Sequence, residues 1–458
     1  MLREKLENRQ ATAAVIGLGY VGLPLAMEMA AAGFNVIGID LDRNKIAMLK
    51  RGKSYILDVP EKDLAKVTEN GHFTPTSDFT ALRNADTVSI CVPTPLSKSR
   101  DPDISFILAA TKEIQTHLHS GQLIVLESTT YPGTTDELIL PELESSGLRV
   151  GKDFFLAFSP ERIDPGNPSF NTRNTPKIVG GITDECSEMG RLFYSQFIDR
   201  VIPVSSTKCA EMVKLLENTF RSVNIGMVNE LALMCDVLGV DVYEVIDAAA
   251  TKPFGFIPFY PGPGLGGHCI PIDPHYLAWK LKALNFQARF IGLASEINGM
   301  MPSVVTTMVG EGLNRFSKSI RDSKVLILGV AYKKNVSDCR ESPALDIMRM
   351  LKDKGAILSY NDPLVPSLRL NGNGMKSIEV TPATIASQDC IVILTDHSVY
   401  DFRKIIASAR LVIDTRNATK DLPEFKGKIM KLGAGKSTTF GAHDEDEQAG
   451  FEIHPLTH

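Results

Sequence analysis

The chain of 458 residues carries 49 Lys and Arg against 54 Asp and Glu, a net charge of -5, and 43% of its residues are hydrophobic. That length suffices for two or three domains with cores of their own, and near-balanced charge without a basic run gives no reason to expect nucleic acid or a membrane as partner. Seven scattered cysteines make no disulfide framework and the charged start MLREKLENRQ is no secretion signal, so a cytoplasmic protein is expected.

Residues 12–40 read as a strand (TAAVIG), a glycine turn, a helix and a second strand (FNVIGID) ending in an acid. The turn is Gly17, Leu18, Gly19, Tyr20, Val21, Gly22, a GxGxxG between strand and helix, and Asp40 follows its last glycine by eighteen residues. Small residues let a pyrophosphate reach the helix N-terminus, and the acid accepts ribose hydroxyls, so this is a dinucleotide-binding fingerprint. Asp40 would repel a 2′-phosphate, which favours NAD over NADP; Arg43 nearby argues the other way.

Further strands are predicted near 86–92, 123–128, 154–158 and 177–180, with helical runs between. Ligands lie at strand C-termini in such folds. Three loops there matter: CVPTP with Pro93 and Thr94, ESTTYPG with Thr129, and SPERIDPG with Glu161 and Arg162. Each residue taken singly is an ordinary turn residue or solvated charge, and the shared position is what raises it. From 206 to 238 the pattern is helical without a break, a rod of roughly 50 Å. Such a helix should bridge domains and pack against a second subunit. Lys214 and Asn218 share one face, with Asn229 roughly on it.

The segment with Lys252 and the aromatic stretch 254–260, including Phe259 and Tyr260, leads into loop 261–274, PGPGLGGHCIPIDP, where four glycines and four prolines exclude helix and central strand. Cys269 lies at its centre. Asp273 is placed at the N-cap and Pro274 at N1 of the following helix, where the positive helix end should stabilise a thiolate. Gly264, Gly266 and Gly267 remove side chains from the approach to the cysteine. His268 beside Cys269 has no second Cys/His pair at zinc spacing, so no metal is expected. A helical run from 275 to about 316 follows.

At 322 an α/β pattern resumes: KVLILGV, a helix, AILSYND ending at Asp362, then CIVILT and LVIDTR. Gly329 stands alone, so this unit lacks GxGxxG and looks adapted to a different nucleotide, with Lys333 and Arg340 as bases for phosphates. The polar tail from about 433 is expected to be poorly ordered. The fold class is therefore α/β: two Rossmann-like parallel-sheet domains, 1–205 and 319–435, joined by a helical middle domain, 206–318, with one long central helix, and a tail, 436–458.

NAD implies hydride transfer. A cysteine nucleophile adds the means to trap an aldehyde as a thiohemiacetal, whose second hydride loss gives a thioester that water opens. The combination suggests a four-electron oxidation of an alcohol, and the second nucleotide-like domain suggests the alcohol is carried on a nucleotide.

The glycine turn, STTYPG, SPERIDPG, Lys214 with Asn218, PGPGLGGHCIPIDP and AYKKNVSDCRESPA together resemble the UDP-glucose/GDP-mannose dehydrogenase family, the UDP-sugar 6-dehydrogenases, over nearly the whole chain. The resemblance implies NAD on the first domain, UDP on the last, and dimerisation, or a higher homo-oligomer, through the middle helix. It implies Cys269 as nucleophile, Lys214 and Asn218 stabilising oxyanion character, Asp273 and Thr129 placing a water, and Glu161 assisting thioester hydrolysis. On the cofactor side stand Gly17, Gly19, Tyr20, Val21, Gly22, Asp40, Arg43, Pro93, Thr94, Thr129 and Arg340. Substrate contacts are expected from Glu161, Arg162, Lys214, Asn218, Lys252, Phe259, Tyr260, Gly264, Gly266, Gly267 and Lys333. Glucose-type members carry a lysine where this chain has Ile272 and a second glutamate where it has Pro165. GHCIPIDP with SPERIDPG is similar to the UDP-N-acetylhexosamine branch, particularly the N-acetylglucosamine enzymes, with N-acetylmannosamine and glucose as competing sugars. Two other classes stay open: a two-electron hydroxyacid-type dehydrogenase with a structural Cys269, and a silent sugar-nucleotide or NAD sensor.

Overall fold

The computed structural model describes residues 2–56, 58–97, 101–164, 167, 169–267 and 269–435; His268, Pro165 and the tail from 436 lie outside the described residues. The chain divides into two compact units, Met1–Val223 with His268–Gly292, and Asn224–Gly267 with the chain from Leu293 onward. No helix among the described residues is long and apolar enough to cross a membrane.

The first unit is built on strands β1 (Thr12–Ile16), β2 (Asn35–Ile39), β3 (Phe73–Thr76), β4 (Thr87–Ile90), β5 (Leu123–Leu126), β6 (Phe155–Phe158), β7 (Lys177–Gly181) and β8 (Val201–Val204), in the order β3-β2-β1-β4-β5-β6-β7-β8. The central strands TVSI and LIVL are buried at every position, as a parallel sheet covered on both faces requires. Neither β3 (FTPT) nor β8 (VIPV) is apparent from the sequence. Each is four residues long with a proline inside, and both are edge strands, where a missing N–H costs no ladder bond.

β7 runs antiparallel to β6 and parallel to β8. At its start the Lys177 ammonium pairs with the carboxylate of Glu127, next after β5, with side chains 8% and 0% exposed. The Tyr194 hydroxyl donates to the other oxygen of Glu127 at 2.5 Å, and its ring lies 5.0 Å from the ammonium. Each buried polar group here has a partner, as burial demands.

The helix Thr207–Leu238, 32 residues long, contributes to both units and agrees with the sequence pattern. In the second unit β9 (Lys324–Leu328), β10 (Ile357–Asn361), β13 (Cys390–Ile393), β14 (Val412–Asp414) and β15 (Ile429–Lys431) form an all-parallel sheet ordered β10-β9-β13-β14-β15. A hairpin of β11 (Ser367–Leu370) and β12 (Asn373–Lys376) stands apart from it. The two sheets open alike: Gly17 N–H donates to Ile39 O at 2.8 Å, and Gly329 N–H donates to Asn361 O at 2.9 Å.

The helical run expected from 275 to 316 is two helices, Asp273–Ala283 and Arg289–Asn314. Asn285 breaks it at φ +57, a left-handed position after the helix end that asparagine tolerates. Pro302 lies inside the second helix and leaves the carbonyl of Asn298 without its helical donor. Gly264, at φ +132, packs there, its missing Cβ 3.3 Å from that oxygen.

Replacing Lys177 by methionine strands the Glu127 charge in the core. We expect Lys177→Met to lower stability by about 3–5 kcal/mol, read as a fall in the urea midpoint followed by circular dichroism; an unchanged midpoint would show that the pair is not held charged.

Candidate active site

The glycine turn divides its labour. Gly17 adopts φ +92, and a Cβ there would stand 2.5 Å from Cys91 O; a Cβ on Gly22 would stand 1.9 Å from Gly17 O. Those two glycines close the strand–turn–helix junction. Gly19 meets nothing within 4 Å, so open space lies above it at the N-terminus of helix Gly22–Ala31, a seat that fits a pyrophosphate. Asp40 accepts from Leu18 N–H at 3.0 Å and from Asp42 N–H at 2.9 Å, and pairs with Lys45 at 3.2 Å. Arg43 is exposed at the first position of its helix, Tyr20 is 41% exposed, Val21 is partly buried, and Thr94 is buried behind an exposed Pro93.

Five of the chemistry-bearing residues meet in the first unit. Lys214, 6% exposed, donates to the carbonyl of Glu161 at 2.5 Å. Asn218, one turn on, donates to Asp273 Oδ2 at 2.5 Å. Asp273 N–H returns to Cys269 O at 2.8 Å, and Ile272 N–H reaches the same oxygen at 3.0 Å, so the cysteine and the acid are two ends of one tight turn. The Glu161 carboxylate accepts from Ile163 N–H. Arg162 is committed to Glu217 at 2.7 Å and to Pro176 O at 2.5 Å. Thr129 is half-buried in the loop after β5.

Two expectations need correcting. The helix begins at Asp273 itself, with Ile272 as N-cap and Pro274 second. More consequentially, the Cys269 thiol is not lowered. It is reachable from solvent, yet enough protein surrounds the sulfur that desolvation and then the Asp273 carboxylate push it up to about 11, against the pull of Lys214. The acid that was to accompany a thiolate at a helix end opposes it instead. Burial pushes Asp273 itself up to about 6, with Lys214 and the Asn218 hydrogen bond pulling it down.

The remaining candidates lie in the second unit. Missing side chains at Gly266 and Gly267 make room for Tyr332 rather than for an open approach: a Cβ on either would come within 2.8 Å of it. Tyr260 stacks on Tyr243 with centroids 6.2 Å apart and donates to Asp247 at 2.7 Å. Phe259 packs on the cluster of Val228, Ala232 and Ile246. Lys252 lies 5.0 Å over the Phe254 ring. Lys333 is partly buried, and Arg340 pairs with Asp338 at 2.7 Å in the same unit, which does not contain the glycine turn.

Comparison with known proteins places these parts. Residues 11–198, 208–300 and 326–421 match, in turn, the NAD binding domain, the central domain and the UDP binding domain of the UDP-glucose/GDP-mannose dehydrogenase family. The chain belongs to that family. NAD is the cofactor, and a UDP-sugar is the class of substrate. A UDP-N-acetyl-D-mannosamine dehydrogenase of Methanococcus maripaludis is 35% identical over 436 residues, 92% of this chain and 97% of that one. A UDP-N-acetyl-D-glucosamine 6-dehydrogenase of Pseudomonas aeruginosa is 34% identical over 392 residues, 84% of this chain and 90% of that one. The solved UDP-D-ManNAc dehydrogenase of Pyrococcus horikoshii superposes with a TM-score of 0.84 at 33% identity, covering 92% of this chain and 99% of that one.

Two residues of this family member went unnoticed in its sequence. Glu211, on the long helix, is wholly buried; desolvation pushes its carboxyl up to about 7 while donors from Thr135 and Gly133 pull it down. Arg416, two residues after β14, donates from Nε to Leu394 O at 2.8 Å, and its guanidinium fills the space a Cβ on Gly262 would need. Its signal was legible: an arginine just past a strand C-terminus, on the ligand side of such a sheet.

Because Asp273 raises the Cys269 thiol and Lys214 lowers it, alkylation of Cys269 should respond oppositely to their removal. At pH 8 we expect Asp273→Asn to speed iodoacetamide labelling by about threefold to tenfold and Lys214→Met to slow it, read by mass spectrometry of the Cys269 peptide. Equal rates in all three proteins would show that neither charge reaches the sulfur.

Proposed function

We propose that this family member oxidises the C6 alcohol of a UDP-N-acetylhexosamine to the uronic acid in two NAD-dependent steps through a thioester on Cys269. The observation that carries the reading is the turn uniting Cys269 and Asp273, with Asn218 bonded to Asp273, and with Lys214, one helical turn before Asn218, bonded to the carbonyl of Glu161. NAD, when bound, supplies the hydride acceptor for each oxidation. Lys214 and Asn218 steady the oxygen at C6 as it carries negative charge. Asp273, ionised at neutral pH, takes protons, with Thr129 helping to place the water that relays them. When the C6 aldehyde forms, Cys269 adds to it while the thiol proton passes to the Asp273 carboxylate, so the charge moves to the C6 oxygen and no free thiolate need accumulate. Loss of the second hydride leaves the thioester; water, aided by Glu161, releases the acid and restores the thiol. The balance is one alcohol, two NAD⁺ and one water to one carboxylate, two NADH and three protons.

The sugar we propose is N-acetylglucosamine, on the pattern of Ile272 in CIPID with SPERIDPG. The names of the Methanococcus and Pyrococcus relatives favour N-acetylmannosamine as the second reading. We further infer NAD binding within 1–205, UDP binding within 319–435, and a dimer formed through 206–318. A stripe of Met212, Leu216, Phe220, Met227 and Met234, each at least 39% exposed along one face of the long helix, supports the dimer.

With limiting sugar nucleotide we expect two NADH per UDP-N-acetylglucosamine, formed faster than from UDP-N-acetylmannosamine or UDP-glucose, and we expect Cys269→Ser to bind both ligands while kcat falls on the order of a thousandfold or more. One NADH per substrate, or acid production by the serine variant at the normal rate, would remove the covalent route; a faster mannosamine substrate would select the second reading.

A further inference from the structure

Glu211 takes no part in the chemistry above, yet its carboxylate gathers three donors from the end of the loop after β5 and the start of the helical segment Thr135–Ile139 that follows it. Oε2 accepts from Gly133 N–H at 2.6 Å, and Oε1 accepts from Thr135 N–H at 3.0 Å and Thr135 Oγ1 at 2.7 Å. Glu211, Lys214 and Asn218 stand at i, i+3 and i+7, hence on one helix face. The loop 128–134, which carries Thr129 and runs into the helical segment Thr135–Ile139, is braced within itself: Thr130 Oγ1 meets Thr134 Oγ1 at 2.6 Å, Thr134 Oγ1 donates to Tyr131 O at 2.8 Å, and Gly133 sits at φ +100. The neighbouring acids have cations of their own, Asp136 with Lys208 at 3.5 Å and Glu137 with Lys280 at 2.6 Å.

We propose that Glu211 is a positioning residue: by drawing the Gly133 and Thr135 donors onto the face that bears Lys214 and Asn218, its carboxylate fixes where Thr129 stands relative to them. The inference rests on the reaction proposed above, because those residues are its working groups. A reporter independent of turnover is built in. Trp279, the chain's single tryptophan, lies against Tyr131 of the loop, ring centroids 5.0 Å apart, so its emission follows the loop.

The test uses the full chain and Glu211→Gln. The amide keeps one oxygen for Thr135 but turns an N–H toward the Gly133 N–H, donor against donor, at nearly unchanged volume. We expect kcat to fall about tenfold to a hundredfold with KM for NAD and sugar nucleotide within about threefold, a changed Trp279 emission without ligands, and partial recovery in Glu211→Asp, which keeps both acceptors. A kcat within about twofold of wild type, or a Trp279 spectrum identical to wild type, overturns the proposal. Should Glu211→Gln fail to fold, Thr135→Val decides: it replaces the Oγ1 donor by a methyl and leaves the two N–H donors to Glu211, and wild-type kcat in that variant overturns the proposal equally. If the wild-type protein reduces no NAD with any UDP-sugar, the reaction reading has failed, and the Trp279 comparison still judges the clamp on its own.

Discussion

One face of the long helix is polar and buried, and much of the site hangs from it. Thr207, Glu211, Lys214, Asn218, Ser222 and Asn229 follow each other at three, four or seven residues and are all at most 6% exposed. A helix of this length would ordinarily turn an apolar stripe inward. Here each polar group taken from water must find a partner or destabilise the fold by more than the helix gains from burial. Glu211 takes the loop after β5, Lys214 the carbonyl of Glu161, and Asn218 the carboxylate of Asp273; Asn229 donates to Asn298 at 2.8 Å and accepts from Gly262 N–H at 2.9 Å. Two loops at strand ends and the cysteine turn in the first unit, and the proline-glycine segment in the second, are thus each tied to the hydrogen-bonding demands of one helix.

The two sheets show how one design is turned to different ends. In each, a glycine after the first strand donates to the last carbonyl of the neighbouring strand, and an acid follows that carbonyl. Asp40 spends part of its capacity on Leu18 N–H and remains half-buried, with Gly19 open beside the turn. Asp362 is 2% exposed and holds Val330 N–H at 2.8 Å, Ala331 N–H at 3.0 Å and Leu364 N–H at 2.9 Å, with His397 at 3.1 Å. An acid so fully engaged clamps its own loop and has no oxygen to offer a ribose. The absence of the second and third glycines from the second unit is the sequence trace of that difference, since its loop closes on protein.

What the sequence disclosed followed from how local each signal is. The glycine turn, the central strands and the unbroken long helix depend on neighbouring residues and were legible. Edge strands β3 and β8 were not, because proline is a contrary signal unless the strand is known to be an edge. The break at Asn285 was hidden by a helical pattern that continues on both sides. Lys214 and Asn218 were legible as sharing one helix face, but what meets Lys214 was not, and Glu211 gave no signal, because their partners, the carbonyl of Glu161 and the donors of Gly133 and Thr135, are distant in the chain. Gly266 and Gly267 were legible as close-approach positions, but what approaches, Tyr332, was not.

The resting charge of the cysteine turn is where local reading was most misleading, and it carries a chemical argument. A helix N-terminus beside a cysteine suggests a standing thiolate, but the first helical residue is a buried carboxylate, and two negative charges in one tight turn repel each other, so ionising the second is disfavoured. Lys214 supplies one positive charge for the pair, and with Asp273 titrating near 6 that charge is already matched by the carboxylate at neutral pH. Desolvation first, and then the Asp273 charge, hold the thiol above its ordinary value, and it keeps its proton. For the reaction proposed, this order is useful. It suits the proposed role of Asp273 as base in the first oxidation, because an ionised sulfur beside it would compete for the Lys214 charge proposed to meet the developing alkoxide. Once the aldehyde is present, addition of sulfur in the proposed reaction moves negative charge from the turn to the C6 oxygen, whose charge Lys214 and Asn218 are proposed to steady, so the nucleophile is activated by the electrophile that requires it. A cysteine with a depressed pKa would forgo that coupling and remain open to alkylation and oxidation between turnovers.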